Sequence, residues 1–204
     1  MKKILILMVM FAALGGGAKA QVQFSFGPGV GFNYAVHSWT DSDQTFGGFG
    51  ALVTSQFDMQ FSRNLGILVW LDFYSDMSTK IFDGYVEDKC KINYFSLAPT
   101  LKFCIPRSPF YLFGGPGFGV KTIGKFLDYG DFNGFEGFYE EKEILDMQAR
   151  IDVRLGAGYE FFLSKKLTLT PFAAFNVGMN EVVAGTGWQI NTVQAGLTLR
   201  FNCF

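Results

Sequence analysis

The chain is poor in charge, in histidine and in paired cysteine, and each shortage removes a class of function. Charged residues make up 17% of its 204 residues, whereas a water-exposed surface is roughly a quarter to a third charged. The net charge of -1 includes Lys2, Lys3 and Lys19; without them 14 basic and 18 acidic residues remain, a balance of -4 that gives nucleic acid nothing to bind. His37 is the only histidine, so sites built on several imidazoles are excluded. Cys90, Cys104 and Cys203 are odd in number and unrelated in spacing, with no metal-ligand pattern. We expect them to be unpaired and structural, although an oxidising compartment would tolerate one disulfide. After residue 20 no apolar run approaches the roughly 18 residues of a membrane helix.

What is present begins with a leader. Lys2 and Lys3 precede an apolar stretch, residues 4–14, and a small-x-small site at Ala18-Lys19-Ala20. That order of basic start, short apolar core and small residues predicts a cleaved secretory signal over residues 1–20. Residues 21–204 then form a single domain, starting at Gln21.

Within that domain the dominant signal is alternation. Met147, Ala149, Ile151, Val153, Leu155, Ala157, Tyr159, Phe161 and Leu163 share one parity, opposite Gln148, Arg150, Asp152, Arg154, Gly156, Gly158 and Glu160, with Phe162 the exception. A period of two places these sets on opposite faces of a strand. Its length is about three times that of an ordinary strand, whereas strands that cross a bilayer need about 9–11 residues and often run on beyond it. The same period marks seven more strands, at 22–36, 49–61, 66–74, 93–105, 110–121, 167–179 and 192–201. Short connections at 62–65, 106–109 and 164–166 alternate with longer polar ones at 37–45, 75–91, 122–146 and 180–190. Only helices and closed barrels satisfy every backbone group in lipid, and short turns alternating with long loops are the habit of outer-membrane barrels. The expected fold is therefore all-β: an eight-stranded antiparallel transmembrane β-barrel of the OmpA/OmpX-like kind, in the cell outer membrane with both termini periplasmic. A secreted soluble β-sandwich is the competing architecture.

The inward parity of these strands holds Asp58, Asp72, Lys102, Lys121, Arg150, Asp152, Arg154, Glu160 and Arg200. Charges at that depth must pair, so a lumen ion network centred on Arg150 and Arg154 is expected to plug the barrel, with no cofactor. Phe126, Tyr129, Phe132, Phe135, Phe138 and Tyr139 lie among acidic residues in the longest loop. They form either a recognition surface for a ligand or protein or the self-packed end of two extended strands. Gly27-Pro28-Gly29-Val30-Gly31-Phe32 and Gly115-Pro116-Gly117-Phe118-Gly119-Val120 lie half a barrel apart; no helix follows either, so they read as packing glycines and not as phosphate loops. Pro28, Pro99, Pro116 and Pro171 fall inside strands with outward parity, where bulges are expected.

Tyr94-Phe95-Ser96-Leu97-Ala98-Pro99-Thr100-Leu101-Lys102-Phe103, the turn after it, Phe110-Tyr111-Leu112-Phe113-Gly114-Gly115-Pro116-Gly117, and the later Leu155-Gly156-Ala157-Gly158-Tyr159-Glu160-Phe161 together resemble the PorT-like outer-membrane β-barrel domain family, a group of small barrels often labelled porins. The resemblance spans the mature chain and implies a fold, a compartment and outer-membrane lipid as surroundings, with no catalytic set. Val193, Ala195, Leu197, Leu199 and Phe201 look like the terminal signal read by the barrel assembly machinery, with Asn202-Cys203-Phe204 following it. Two alternatives accompany the pore-free reading: a small porin-like channel for solutes, and a lipid-modifying enzyme using His37 with Ser38, Asp76 or Ser78. Asp128, Asp131, Asn133 and Glu136 loosely resemble a calcium loop, but the ligand spacing is not met, so no metal site is expected.

Overall fold

A single sheet whose faces alternate between apolar and polar side chains can enclose one face by closing on itself, and this chain closes. The computed structural model describes residues 22–40, 42–83, 86–132 and 135–203, with the side chains of 42–44, 81–88 and 128–140 left aside. The strands are β1 (Gln23–Trp39), β2 (Ser42–Gln60), β3 (Leu65–Asp76), β4 (Thr79–Asp83), β5 (Val86–Cys104), β6 (Phe110–Phe132), β7 (Phe135–Glu143), β8 (Arg150–Tyr159), β9 (Phe161–Ser164), β10 (Leu167–Gly178) and β11 (Trp188–Cys203). Eight of them form the wall, in the order β1-β2-β3-β5-β6-β8-β10-β11, all antiparallel. The β5–β6 and β1–β11 pairings complete the ring. The short strands β4, β7 and β9 prolong staves of that wall.

The outer face is apolar. Phe26, Val30, Phe32, Phe57, Phe73, Leu101, Phe118, Leu155, Phe175, Val193 and Leu197 are all exposed, a belt far larger than the apolar patches a soluble monomer shows. Opposite parity puts Trp70, Tyr111, Phe113, Phe172 and the charged side chains inside. An eight-stranded barrel is just wide enough for side chains to fill, and here they do.

One end of the barrel carries both chain termini of the wall and three tight turns, at 61–64, 105–109 and 165–166; the other carries strand extensions. The loop expected at 122–146 is mostly the hairpin β6–β7, with Lys125 opposite Glu143 and Phe132 opposite Phe135. β6 is 23 residues long, roughly 75 Å of strand at about 3.3 Å per residue, or about 50 Å of height at a 45° tilt; a hydrocarbon layer is about 30 Å thick. The surplus must stand outside the membrane. In the same way 75–91 contains β4 paired with β5, and 37–45 is taken up by β1 and β2, which run to Trp39 and from Ser42.

The in-strand prolines correct a second expectation. No register shift occurs at any of the four; shifts fall at Ser38/Trp39, Val53/Thr54, Asp72/Ser75, Asn93/Tyr94, Gly130/Phe132 and Leu167/Thr168. Each proline instead interrupts one ladder and leaves the register unchanged on both sides. Pro99 lies opposite Pro116, so the β5–β6 ladder resumes only at Leu97–Phe118 and Leu101–Gly114. The strands stay close there, because a Cβ on Gly115 would collide with the Pro99 carbonyl. Pro171 accounts for the division of the long sixth stave: β8 and β9 hold one register against β10, broken where Tyr159 and Glu160 face a proline and its neighbour. At its other end that stave starts at Arg150, and Met147 makes only an isolated bridge to Val183.

Candidate functional site

Arginine, lysine and carboxylates on inward positions of five strands meet in three separate groups, not one network. Nearest the turns, Lys102 on β5 donates to Asp58 of β2 at 2.5 Å and to Glu160 at 2.6 Å. Arg200 of β11 donates to the same two carboxylates. Two cations and two anions thus cancel, under the ring of Tyr111, whose centroid lies 4.6 Å from Lys102 Nζ. In the middle of the barrel, Arg154 of β8 donates to Asp72 of β3 at 2.5 Å and to Asn176 Oδ1 of β10 at 2.8 Å. Its guanidinium lies 5.3 Å from the ring of Trp70. Toward the hairpins, Arg150 pairs with Asp152 on its own strand at 2.8 Å and reaches Met77 Sδ at 3.3 Å. Lys121 stands apart from all three: it approaches Glu143 at 3.6 Å and donates to the Ile144 carbonyl at 3.2 Å. Arg154 lies in the middle group and Arg150 in the group toward the hairpins, and the largest group is the quartet at the turn end.

Two apolar clusters occupy the space between the charges. Leu52, Leu68, Trp70, Ala98, Tyr111, Phe113, Phe172 and Ala174 fill the middle. Trp70 packs edge-on against Phe172 at 4.7 Å and tilted against Phe113 at 5.0 Å. Gly156 and Gly158 are glycines for this reason: a Cβ there would strike the rings of Phe113 and Tyr111. At the hairpin end Met77, Tyr94, Ile144, Trp188 and Ile190 form a second cluster. Trp188 is stacked between Trp39 at 5.3 Å and Phe126 at 5.9 Å, and Trp39 meets Phe46 edge-on at 5.7 Å. Four aromatic rings from four strands therefore lie across that mouth.

Phe126, which the sequence leaves either on a recognition surface or packed among the aromatics of two extended strands, turns into the lumen against Trp188. A bulge at Thr122, opposite Asn93 and Tyr94, reverses the parity of β6 beyond Lys121. Tyr129, Phe132, Phe135, Phe138 and Tyr139 continue the β6–β7 hairpin, with Tyr129 opposite Tyr139; their side chains, and those of Asp128, Asp131 and Glu136, lie outside the described residues, as does Asn133 altogether. On the outside of the hairpin Lys125 donates to Glu141 at 2.7 Å. That hydrogen bond raises the lysine pKa and lowers that of the glutamate.

His37 is buried, with both ring nitrogens engaged: the Nε2–H donates to the Met77 carbonyl at 2.8 Å, and Nδ1 accepts from Trp188 Nε1–H at 3.2 Å. Neither nitrogen is left to activate Ser38, and Ser78 bonds to Asp76. Cys90, Cys104 and Cys203 are unpaired. Among the described residues no group of His, Cys, Asp and Glu could hold a metal ion. Val193, Leu197 and Phe201 are exposed on β11 with Leu199 in the same parity, and β11 runs on to Cys203. A cavity of about 480 Å³ at the turn end is lined by Asp58, Glu160 and Arg200 together with Phe24 and Lys165. No signal in the sequence marked the aromatic stack or this cavity, because both depend on which strands meet across the barrel.

Solved barrels share this architecture. The outer membrane protein AlkL, solved in lipid bilayers, is 10% identical, with 92% of this chain and 93% of that one covered and a TM-score of 0.56. OprG from Pseudomonas aeruginosa is 11% identical, with 92% and 98% covered and a TM-score of 0.54. At such identities the likeness speaks for the fold. No curated protein matches the sequence. The profile of the outer membrane protein beta-barrel domain family matches residues 4–201, and with a closed eight-stranded wall and a lipid-facing apolar belt the chain belongs to that family, in the outer membrane.

Proposed function

We propose that this protein is a pore-free barrel of the PorT-like kind that works through its hairpin end or by strengthening the envelope. The observation that carries this reading is the filling of the lumen: three charge groups are interspersed with two apolar clusters, and four packed aromatic rings lie over one mouth. A solute channel would need a continuous polar path, and Trp70, Phe113 and Phe172 interrupt it. An enzymatic role through His37 is disfavoured by the engagement of both ring nitrogens. Function then falls to what stands outside the bilayer, and the β6–β7 hairpin is the largest such element, suited to a surface ligand or protein. The turn end with both termini faces the periplasm in this reading, and Val193, Leu197, Leu199 and Phe201 serve as the signal for the assembly machinery.

Proteoliposome swelling tests the closed lumen. Vesicles carrying the refolded protein should swell in small sugars no faster than empty vesicles, while a porin control swells at once. Swelling that rises with the amount of protein would defeat the reading.

A further inference from the structure

The charges outside the lumen are sorted by end. Of the 18 acidic and 14 basic residues after residue 20, four of each sit in the three lumen groups. Four more basic residues, Arg63, Arg107, Lys165 and Lys166, occupy the three turn tips; all are exposed, and no acidic residue lies in those turns. Of the remaining 14 acidic residues, 13 lie in the hairpin-end segments and Asp41 lies outside the described residues; the remaining six basic residues are in the same segments. Among the described residues, none of the four turn-tip cations has an ion-pair partner.

These four cations stand next to the lipid belt. Leu65 follows the turn of Arg63; Ile105 and Phe110 flank that of Arg107; Phe161 and Leu163 precede Lys165; all five apolar residues are exposed. The cations therefore lie at the level where the hydrocarbon layer gives way to headgroups. Arg107 supplies a second observation. It holds a left-handed backbone with φ of 62°, a conformation in which glycine or asparagine costs less. An arginine standing at a position that disfavours it points to a role for the side chain.

The geometry points to a phospholipid-binding ring: Arg63, Arg107, Lys165 and Lys166 bind the phosphates of anionic phospholipid headgroups in the leaflet at the turn end. Charge complementarity carries the choice of partner, and continuity with the apolar belt makes it a bilayer lipid and not a soluble polyanion. Each cation near an anionic membrane surface strengthens binding by up to roughly fivefold, and such attraction fades beyond a Debye length of about 10 Å at 0.1 M salt. The ring also orients the barrel, because the acidic hairpin end is repelled by the same surface.

The test is the lipid retained by the full mature chain when it is ejected from nanodiscs of mixed phosphatidylcholine and phosphatidylglycerol into a mass spectrometer. Wild type should retain phosphatidylglycerol several-fold above its share of the bilayer. The variant Arg63→Gln, Arg107→Asn, Lys165→Gln, Lys166→Gln should fall to the bulk ratio, with Arg107→Asn preserving the turn and heat-modifiable migration on gels confirming that it is folded. Each single substitution should lower the enrichment by an intermediate step. Lys91→Gln with Lys125→Gln, at the hairpin end, should leave it unchanged. Equal enrichment in wild type and the fourfold variant would overturn the proposal, as would enrichment that follows Lys91 and Lys125. So would a fourfold variant that loses affinity for heparin, as a soluble polyanion, while keeping its lipid ratio.

Discussion

Replacing Arg154 by methionine should cost more stability than any other single change to a lumen charge. Arg154 and Asp72 are 2% and 1% exposed and 2.5 Å apart, so solvent screens neither. Without the guanidinium, Asp72 keeps one neutral donor, the Thr54 hydroxyl at 2.8 Å, and a carboxylate inside a packed barrel. Breaking a buried pair by removing one partner costs about 3–5 kcal/mol, while replacing both members by neutral groups is often close to harmless. Arg154→Met should therefore lose about 3–5 kcal/mol, and adding Asp72→Asn should restore most of it, since an amide keeps the Thr54 bond without the charge. Equilibrium urea unfolding in lipid vesicles measures both, followed by tryptophan fluorescence, to which Trp70, with its ring 5.3 Å from the Arg154 guanidinium, contributes beside Trp39 and Trp188. The reasoning fails if the single substitution costs under about 1 kcal/mol, or if the two substitutions add independently, because non-additivity is the mark of a coupled pair.

Other outcomes follow from the same packing. Gly27→Ala should impair refolding, because a Cβ there collides with the Leu199 carbonyl of the neighbouring strand; a refolding yield equal to wild type by heat-modifiable migration would count against that register. Lys125→Gln and Glu141→Gln should each leave the urea midpoint unchanged, since an exposed pair gains little in water, despite the bond between them at 2.7 Å. Deleting residues 128–141 should leave the barrel assembled and heat-modifiable while abolishing any surface binding; failure to fold would make the hairpin a structural element.

The wall of this barrel was legible because period two is a local property: Ile67, Val69, Leu71 and Phe73 face out and Leu68, Trp70 and Asp72 face in, in the sequence as in the structure. Where legibility stopped, the cause was non-local. A bulge at Thr122 flips Phe126 inward, and a bulge is defined by the partner strand, which the sequence does not display. Phe162, the one residue out of pattern in the sixth strand, keeps the register of Phe161 opposite Thr168, and the register shifts only beyond it, between Phe162 and Ser164. Of the nine charges that parity places inward, eight join lumen groups, yet parity could not say who pairs with whom, because that depends on strand stagger around the barrel. Hence Glu160 and Arg200, far apart in sequence, form the main quartet with Asp58 and Lys102, and Lys121 falls outside. Prolines misled for the same reason: Pro99 is tolerable in the wall because Pro116 stands opposite and both lose the same pair of ladder bonds.

The central claim, a lumen closed by its own side chains, is tested most directly by single-channel recording of the purified protein in planar bilayers. The wild type should give a quiet baseline at all voltages that the bilayer withstands, and conductance should appear only when the filling is removed, as in Arg154→Ala or Trp70→Gly. Stable, high-conductance steps from the wild type would contradict the account.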